Sequence, residues 1–350
     1  MKILITGGAG FIGSNLIRHL LNSTDHEVLN IDMLCFPGSI YTIADLSEFE
    51  TYTFLQQDIS DIRLMSDTIM EFLPDAVIHL AAESHVDRSI DSPGAFINSN
   101  IVGTFSLLEA FRQYTKTCSD TKKTELRFIH VSTDEVFGSL EENELAFTEI
   151  HPYSPNSPYS ASKAASDHLV RAWHATYQLP VIVTNCSNNY GPYQFPEKLI
   201  PVVINKALAG ETIPVYGKGE NIRDWLHVND HVRALNLILE KGIPGESYNI
   251  GGDNEVSNIE LVNSICDILN EAKPTNFSYH KLIQFVQDRP GHDLRYAIDS
   301  KKIQSALGWR AEQNFSEGLA NTVNWYMDNQ TWCAQVSKDS YSGQRLGVTN

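Results

Sequence analysis

Three clusters in this 350-residue chain have side chains whose types and spacing suit proton and hydride chemistry. Tyr159 and Lys163 stand four apart in Ser157-Pro158-Tyr159-Ser160-Ala161-Ser162-Lys163. A helix that begins near Pro158, a favoured first-turn residue, places both side chains on one face. A phenol with a pKa near ~10 is a poor base at neutral pH. A lysine cation, together with a positively charged ring of a redox cofactor, favours the phenolate, which takes a hydroxyl proton as hydride leaves the carbon. The second cluster is Ser132-Thr133-Asp134-Glu135, directly after the apolar run Phe128–Val131. Elimination of water needs one ionised carboxylate as base and one protonated carboxyl as acid. The same pair is also a common first-turn device of helices, and spacing alone leaves both readings open.

The third cluster is Ile3-Leu4-Ile5-Thr6 running into Gly7-Gly8-Ala9-Gly10-Phe11-Ile12-Gly13. Gly7 permits a tight turn, Gly10 lets the backbone approach a pyrophosphate, and Gly13 lets the following helix pack close to the strand. The helix N-terminus adds free N–H groups and a positive dipole. Asp32 ends the next apolar run, where an acid accepts hydrogen bonds from ribose hydroxyls and repels a 2′-phosphate, so NAD is expected rather than NADP. Asp58-Ile59 follow the third run, where an adenine ring would lie.

The formal net charge of −17 disfavours binding to nucleic acid or to an anionic membrane. An anionic substrate then needs a local basic cluster, and Lys198, Arg223, Arg289 and His292 supply one from Gly/Pro-rich segments. The N-terminal apolar run is too short for a signal peptide, and no stretch is long and apolar enough to span a membrane. The five cysteines (Cys35, Cys118, Cys186, Cys266, Cys333) are scattered without CxxC pairs, so reduced thiols and a cytoplasmic, metal-free protein are expected.

These groups need a frame. Short Val/Ile/Leu-rich runs at Ile3–Ile5, Glu27–Ile31, Thr53–Leu55, Ala76–Leu80, Phe128–Val131 and Val181–Thr184 read as strands. Between them Ser14–Leu21, Asn98–Tyr114 and Ala161–Tyr177 show helical spacing. The alternation predicts an α/β fold, a Rossmann-type doubly wound parallel sheet. Residues 1–190 are expected to form this NAD-binding domain with the Tyr/Lys helix. Residues 191–330, richer in Gly and Pro, are expected to form a smaller C-terminal substrate-binding α/β region with segments returning to the sheet. Residues 331–350 read as a tail whose polar end, from 338 onward, frays.

The glycine turn, Ser132-Thr133, Tyr159 and Lys163 together resemble the extended short-chain dehydrogenase/reductase superfamily, which implies that Tyr159 and Lys163 are catalytic and that Thr133 assists the reacting hydroxyl. Thr133-Asp134-Glu135 further resembles the signature of the nucleoside-diphosphate-hexose 4,6-dehydratases. Long segments are similar to their dTDP-glucose branch: Ala81-Ala82-Glu83-Ser84-His85-Val86-Asp87-Arg88-Ser89, Asn185–Pro192, Phe195–Pro201, Tyr216–Gly219 with Ile222–Trp225, Tyr248–Gly252 and Asp288–Asp293. The match covers roughly residues 1–328. It implies that Asp134 protonates a departing C6 hydroxyl, that Glu135 takes the C5 proton, and that Tyr159 with Lys163 and Thr133 manages oxidation at C4. It also implies cofactor contacts from Gly7, Gly10, Phe11, Ile12, Gly13, Asp32, Asp58, Ile59, Leu80, Ala81, Ala82, Ser99, Tyr159, Lys163 and Asn189. The implied nucleotide-sugar contacts are Ser84, Thr133, Asn188, Lys198, Leu199, Pro214, Tyr216, Arg223, Asn258, Arg289 and His292.

Some residues depart from that pattern. Met33 stands where Lys is usual, Cys35-Phe36-Pro37-Gly38-Ser39 replaces a Thr-Tyr-Ala-Gly-Asn-like run, and Phe137 stands where Tyr is usual. The first two are expected to touch the cofactor's ribose, and the third to remove a polar contact near the sugar. A UDP-glucose dehydratase remains an alternative. A nucleotide-sugar epimerase or decarboxylase has no use for Asp134-Glu135, and a non-catalytic NAD-binding sensor typically lacks the Tyr or the Lys. The resemblance also implies a homodimer, paired through Asn98–Tyr114 and Tyr159–Tyr177.

Overall fold

Along Lys2–Thr6 (β1), the period-two alternation sends Ile3 and Ile5 to one face of a sheet and Leu4 to the other. Both faces are covered, which is why the strand reads as an unbroken apolar run. The same division holds for Glu27–Asp32 (β2), Tyr52–Gln56 (β3), Ala76–His79 (β4), Arg127–Thr133 (β5) and Val181–Cys186 (β6). Further along lie Asn188–Tyr190 (β7), Ile213–Tyr216 (β8), Ile222–His227 (β9), Ser247–Ile250 (β10), Glu255–Ser257 (β11) and Ile283–Val286 (β12). The computed structural model describes residues 1–35 and 38–338; the expectations for Phe36, Pro37 and 339–350 fall outside them.

The large sheet has seven parallel strands in the order β10-β6-β5-β4-β1-β2-β3. The order reverses between β1 and β4, and the crevice beyond their carboxyl ends is where such sheets bind ligands. Helices Phe11–Ser23 and Val228–Lys241 cover one face. Helices Ile62–Phe72, Thr104–Thr117 and Pro158–Tyr177 cover the other. Among the described residues no helix is long and apolar enough to cross a membrane.

A second apolar core gathers helices Leu199–Ala209, Asn258–Ala272 and Phe315–Asp328, beside the parallel pair β8–β12 and the small sheet β11-β9-β7. The segment expected as a tail begins with ordered structure. Gln330–Ser337 forms a helix that buries Trp332, Cys333 and Val336 in this core. Trp332 packs edge-on to Trp325 with centroids 5.2 Å apart, so tertiary burial orders a segment too short for helical periodicity to reveal. The helix expected over Asn98–Tyr114 is also interrupted, with a wider π turn over Ile97–Gly103 preceding the α-helical part.

Candidate active site

The glycine turn ends β1 and opens the first helix. Gly7 is left-handed at φ +75°, and a Cβ there would lie 2.5 Å from the Ala81 nitrogen. A Cβ on Gly13 would stand 2.3 Å from the Gly7 carbonyl oxygen, so helix and turn touch backbone to backbone. Gly10 differs: its Cβ would meet only the Gly7 oxygen, at 3.3 Å. The protein itself places little demand on that glycine, and the open side faces a cavity of about 290 Å³. No side chain caps the helix, so its first N–H groups are left for an anion. Asp32 borders the same cavity with its carboxylate anchored by the N–H groups of Ala9 (3.0 Å) and Leu34 (2.9 Å). All fifteen residues expected to contact the cofactor line this cavity, Asp58, Ile59, Leu80, Ala81, Ala82, Ser99 and Asn189 among them. Of the departures, Met33, Cys35 and Gly38 also line it, and burial pushes the Cys35 thiol up to about 12, which keeps it neutral. This set fits a dinucleotide: an uncapped helix end for the pyrophosphate and a fixed carboxylate for ribose hydroxyls.

Tyr159 and Lys163 sit one turn apart on the helix that Ser157 and Ser160 cap reciprocally, each hydroxyl accepting the other's backbone N–H at 3.0 Å. Lys163 Nζ donates to the Val131 carbonyl at 3.0 Å, which ties the helix to β5 beneath the cavity. Burial, and next the Glu135 carboxylate, hold the Tyr159 phenol well above its ordinary value. Its ionisation therefore depends on positive charge brought to the site.

β5 delivers Thr133, Asp134 and Glu135 to the same place. Thr133 Oγ1 caps the following turn by accepting the Glu135 N–H at 3.3 Å, so the capping and chemical readings of this triplet coexist. The two acids differ in surroundings. Burial, then the Glu135 and Asp224 carboxylates, push Asp134 well above the carboxylic range, and its Oδ2 has no hydrogen-bond partner among the described residues. Burial also raises Glu135, but Arg289, Arg223 and Lys198 all oppose it. A protonated Asp134 beside a more readily ionised Glu135 is the pairing that elimination requires.

A second cavity of about 440 Å³ opens beyond these acids, sharing Ser84, Glu135, Asn188, Asn189, Gln194 and Lys198 with the first. Ser84, Asn188, Lys198, Leu199, Pro214, Tyr216, Arg223, Asn258, Arg289 and His292, expected at the nucleotide sugar, all line it, while Thr133 lines the first. Arg223 is buried and, among the described residues, donates only to the carbonyls of Ile222 (2.7 Å), Asp293 (3.0 Å) and Leu294 (3.3 Å). Lys198 Nζ likewise meets the Ser84 carbonyl at 2.8 Å. Neutral carbonyls satisfy these donors without cancelling their charge, which stays available to an anion. Asn188 Oδ1 and Asn258 Oδ1 are buried without a partner among the described residues.

Two expectations change. His292 is not a cation: burial, then Arg289 and Arg223, press it down to about 4, so three cations form the cluster. Phe137 lines neither cavity and is buried against Phe147 (centroids 5.2 Å apart) and Tyr153 (5.1 Å), so its position lends no support to a lost polar contact at the sugar.

Sequence reasoning missed Asn100. This buried side chain accepts the Glu83 N–H (2.8 Å) and donates to the Glu83 carbonyl (3.0 Å) and to Ser162 (2.8 Å), fixing the strand-end segment to the Tyr159 helix. It sits in the π turn with Ser99, a kind of helix defect that recurs at functional sites and leaves no local sequence signal.

Residues 4–322 match the family described as GDP-mannose 4,6 dehydratase. The chain is 55% identical to the dTDP-glucose 4,6-dehydratase of Shigella flexneri, with 97% of each chain covered. Its structure is similar to that of DesIV, a dTDP-glucose 4,6-dehydratase from Streptomyces venezuelae with NAD bound. There the TM-score is 0.88 at 42% identity, covering 96% of this chain and 100% of that one. The UDP-glucose 4-epimerase of Thermotoga maritima shares the fold at a TM-score of 0.83 but only 28% identity, covering 94% of this chain and 100% of that one. The frame is thus common to both reactions, so a fold of this kind does not by itself decide between them.

Proposed function

The chain belongs to the dTDP-glucose 4,6-dehydratases, and from that premise we infer that it converts dTDP-glucose into dTDP-4-keto-6-deoxyglucose with NAD, as a hydro-lyase. The observation that carries the chemistry is the contrast between Asp134, held well above the carboxylic range by burial and two carboxylates, and Glu135, whose rise by burial is opposed by three cations.

Gly7, Gly10–Gly13, Asp32 and Asp58 would hold NAD, which when bound accepts the C4 hydride and returns it at C6, so that it is regenerated in each turnover. Tyr159 takes the C4 hydroxyl proton, steadied by Lys163, with Thr133 Oγ1 close to the same hydroxyl. The C4 ketone makes the C5 proton acidic, and Glu135 removes it. Asp134 gives its proton to the C6 hydroxyl. The C5–H and C6–O bonds break, a C5=C6 double bond forms, and water departs. Glu135 then returns a proton to C5 as hydride arrives at C6. The proton held by Tyr159 makes good the one Asp134 gave up, leaving substrate minus one water. Lys198, Arg223 and Arg289 hold the diphosphate.

We propose a homodimer through the helices around Thr104–Thr117 and Pro158–Tyr177. The reading is supported by Ile97, Val102, Phe105 and Tyr177, which are exposed there despite their apolar character. A cytoplasmic setting is supported by five cysteines that are all unpaired. The deciding experiment incubates the purified protein with dTDP-glucose and no added NAD, and looks for the alkaline absorbance of a 4-keto-6-deoxy sugar. Absence of product from dTDP-, UDP-, CDP- and GDP-glucose alike would sink the dehydratase reading.

A further inference from the structure

The segment Ser84–Arg88 follows the carboxyl end of β4, passes from the first cavity to the second, and grips the other side of the cleft at three points. The Ser84 carbonyl accepts Lys198 Nζ at 2.8 Å. Asp87 Oδ1 accepts Arg289 Nη1 at 2.5 Å while its Oδ2 accepts the Tyr216 hydroxyl at 3.1 Å. Arg88 Nε meets Glu197 Oε2 at 2.8 Å. Asp87 has no part in the chemistry derived above, yet its side chain is only 6% exposed.

Lys198 and Arg223 present their charge on neutral carbonyls, whereas Arg289 alone of the three cations is paired with a carboxylate among the described residues. The difference follows from where each cation is rooted. Arg223 is buried within β9, but Arg289 projects from the Asp288–Pro290 stretch, whose flanking residues are exposed. A long side chain on such a segment loses rotamer freedom when it binds a ligand, and fixing it beforehand removes that loss from binding. A guanidinium is a planar fork of five donors. Asp87 engages Nη1, which sets the plane, while Nε is buried without a partner among the described residues. An anion oxygen at that face completes the fork.

We propose that Asp87 is a positioning residue for the substrate's diphosphate: it holds Arg289 in place in the second cavity, so that the phosphate meets a preformed guanidinium. The proposal rests on the dTDP-glucose reading. It also explains why a carboxylate sits beside a phosphate site in a chain of net charge −17, where an extra anion would otherwise only oppose binding.

The test is steady-state kinetics of the NAD-loaded Asp87→Asn enzyme on dTDP-glucose. KM should rise by about tenfold or more, with kcat within about twofold of wild type and NAD content unchanged. The double variant Asp87→Asn/Arg289→Ala should be no weaker than Arg289→Ala alone, because Asp87 acts through that arginine. An unchanged KM, penalties that multiply in the double variant, or a fall in kcat and NAD content together would each overturn the proposal, the last marking a merely structural link. If Asp87→Asn does not fold, binding of dTDP to Asp87→Glu decides. That variant keeps the charge but moves the carboxylate by one methylene, and should bind dTDP more weakly than wild type with NAD content unchanged; wild-type affinity overturns the proposal. A wild-type protein inert on dTDP-glucose removes the underlying reading and this proposal with it. An active wild type with an unaffected Asp87→Asn removes the proposal alone.

Discussion

Replacing Glu135 by Gln keeps the side chain's size and removes its proton affinity. Turnover should fall by about a hundredfold or more, with C4 oxidation less affected than elimination. Single-turnover spectra would show a reduced-cofactor band that persists, and unchanged turnover would remove the base role. Asp134 supports a second prediction, with a definite sign. Its folded-state pKa lies above the ordinary carboxyl value of about 4, because burial and two neighbouring carboxylates disfavour the anion. The stability it contributes is therefore complete below about pH 4 and is lost as pH rises through its raised value. Asp134→Asn should lose catalysis yet gain stability over wild type, with a gap that widens from about pH 4 toward that raised value. Thermal melts across a pH series check this, and parallel curves for the two proteins count against it.

At the scale of single elements, the glycine turn separates a glycine the fold requires from one its ligand requires. Gly13→Ala drives a Cβ to 2.3 Å from the Gly7 oxygen, a backbone clash that only a shift of the helix relieves. It should cost about 2 kcal/mol or more in stability as well as bound NAD. Gly10→Ala meets only one oxygen, at 3.3 Å. It should fold within about 1 kcal/mol of wild type and still lose NAD, read from the ratio of absorbance at nucleotide and protein bands. Equal stability losses for the two variants would show that the Gly10 side of the turn is not reserved for a ligand.

For the molecule as a whole, the second core reaches past the expected end of the fold. Ending the chain after Asn329 removes Trp332, Cys333 and Val336 from that core, and large apolar truncations of this kind cost about 3 kcal/mol or more. The melting temperature should fall clearly, and an unchanged value would count against the part this helix takes in the core. Assembly is tested at the same scale. Phe105 is 40% exposed beside Trp173, with ring centroids 6.0 Å apart. Phe105→Glu should shift the species seen by light scattering from dimer to monomer, and a wild-type monomer excludes the proposed interface.

Much of the site was legible in the chain because its chemistry is local. The glycine turn, the Thr133-Asp134-Glu135 triplet, and Tyr159 with Lys163 each lie within one strand end or one helix, where spacing fixes relative placement. The alternation of runs likewise determined the doubly wound parallel sheet, since strands buried on both faces and amphipathic helices have few other ways to pack. Tertiary structure decided what depends on distant neighbours. It gave the two adjacent acids unlike surroundings, because Arg289 arrives from far along the chain to oppose the burial of Glu135. It made His292 neutral, turned Phe137 into an apolar cluster, and bound Trp332 into a core. It brought Asp87 against Arg289 across 202 positions of sequence. Burial and long-range charge are properties of an environment, and no residue carries its environment in its own name.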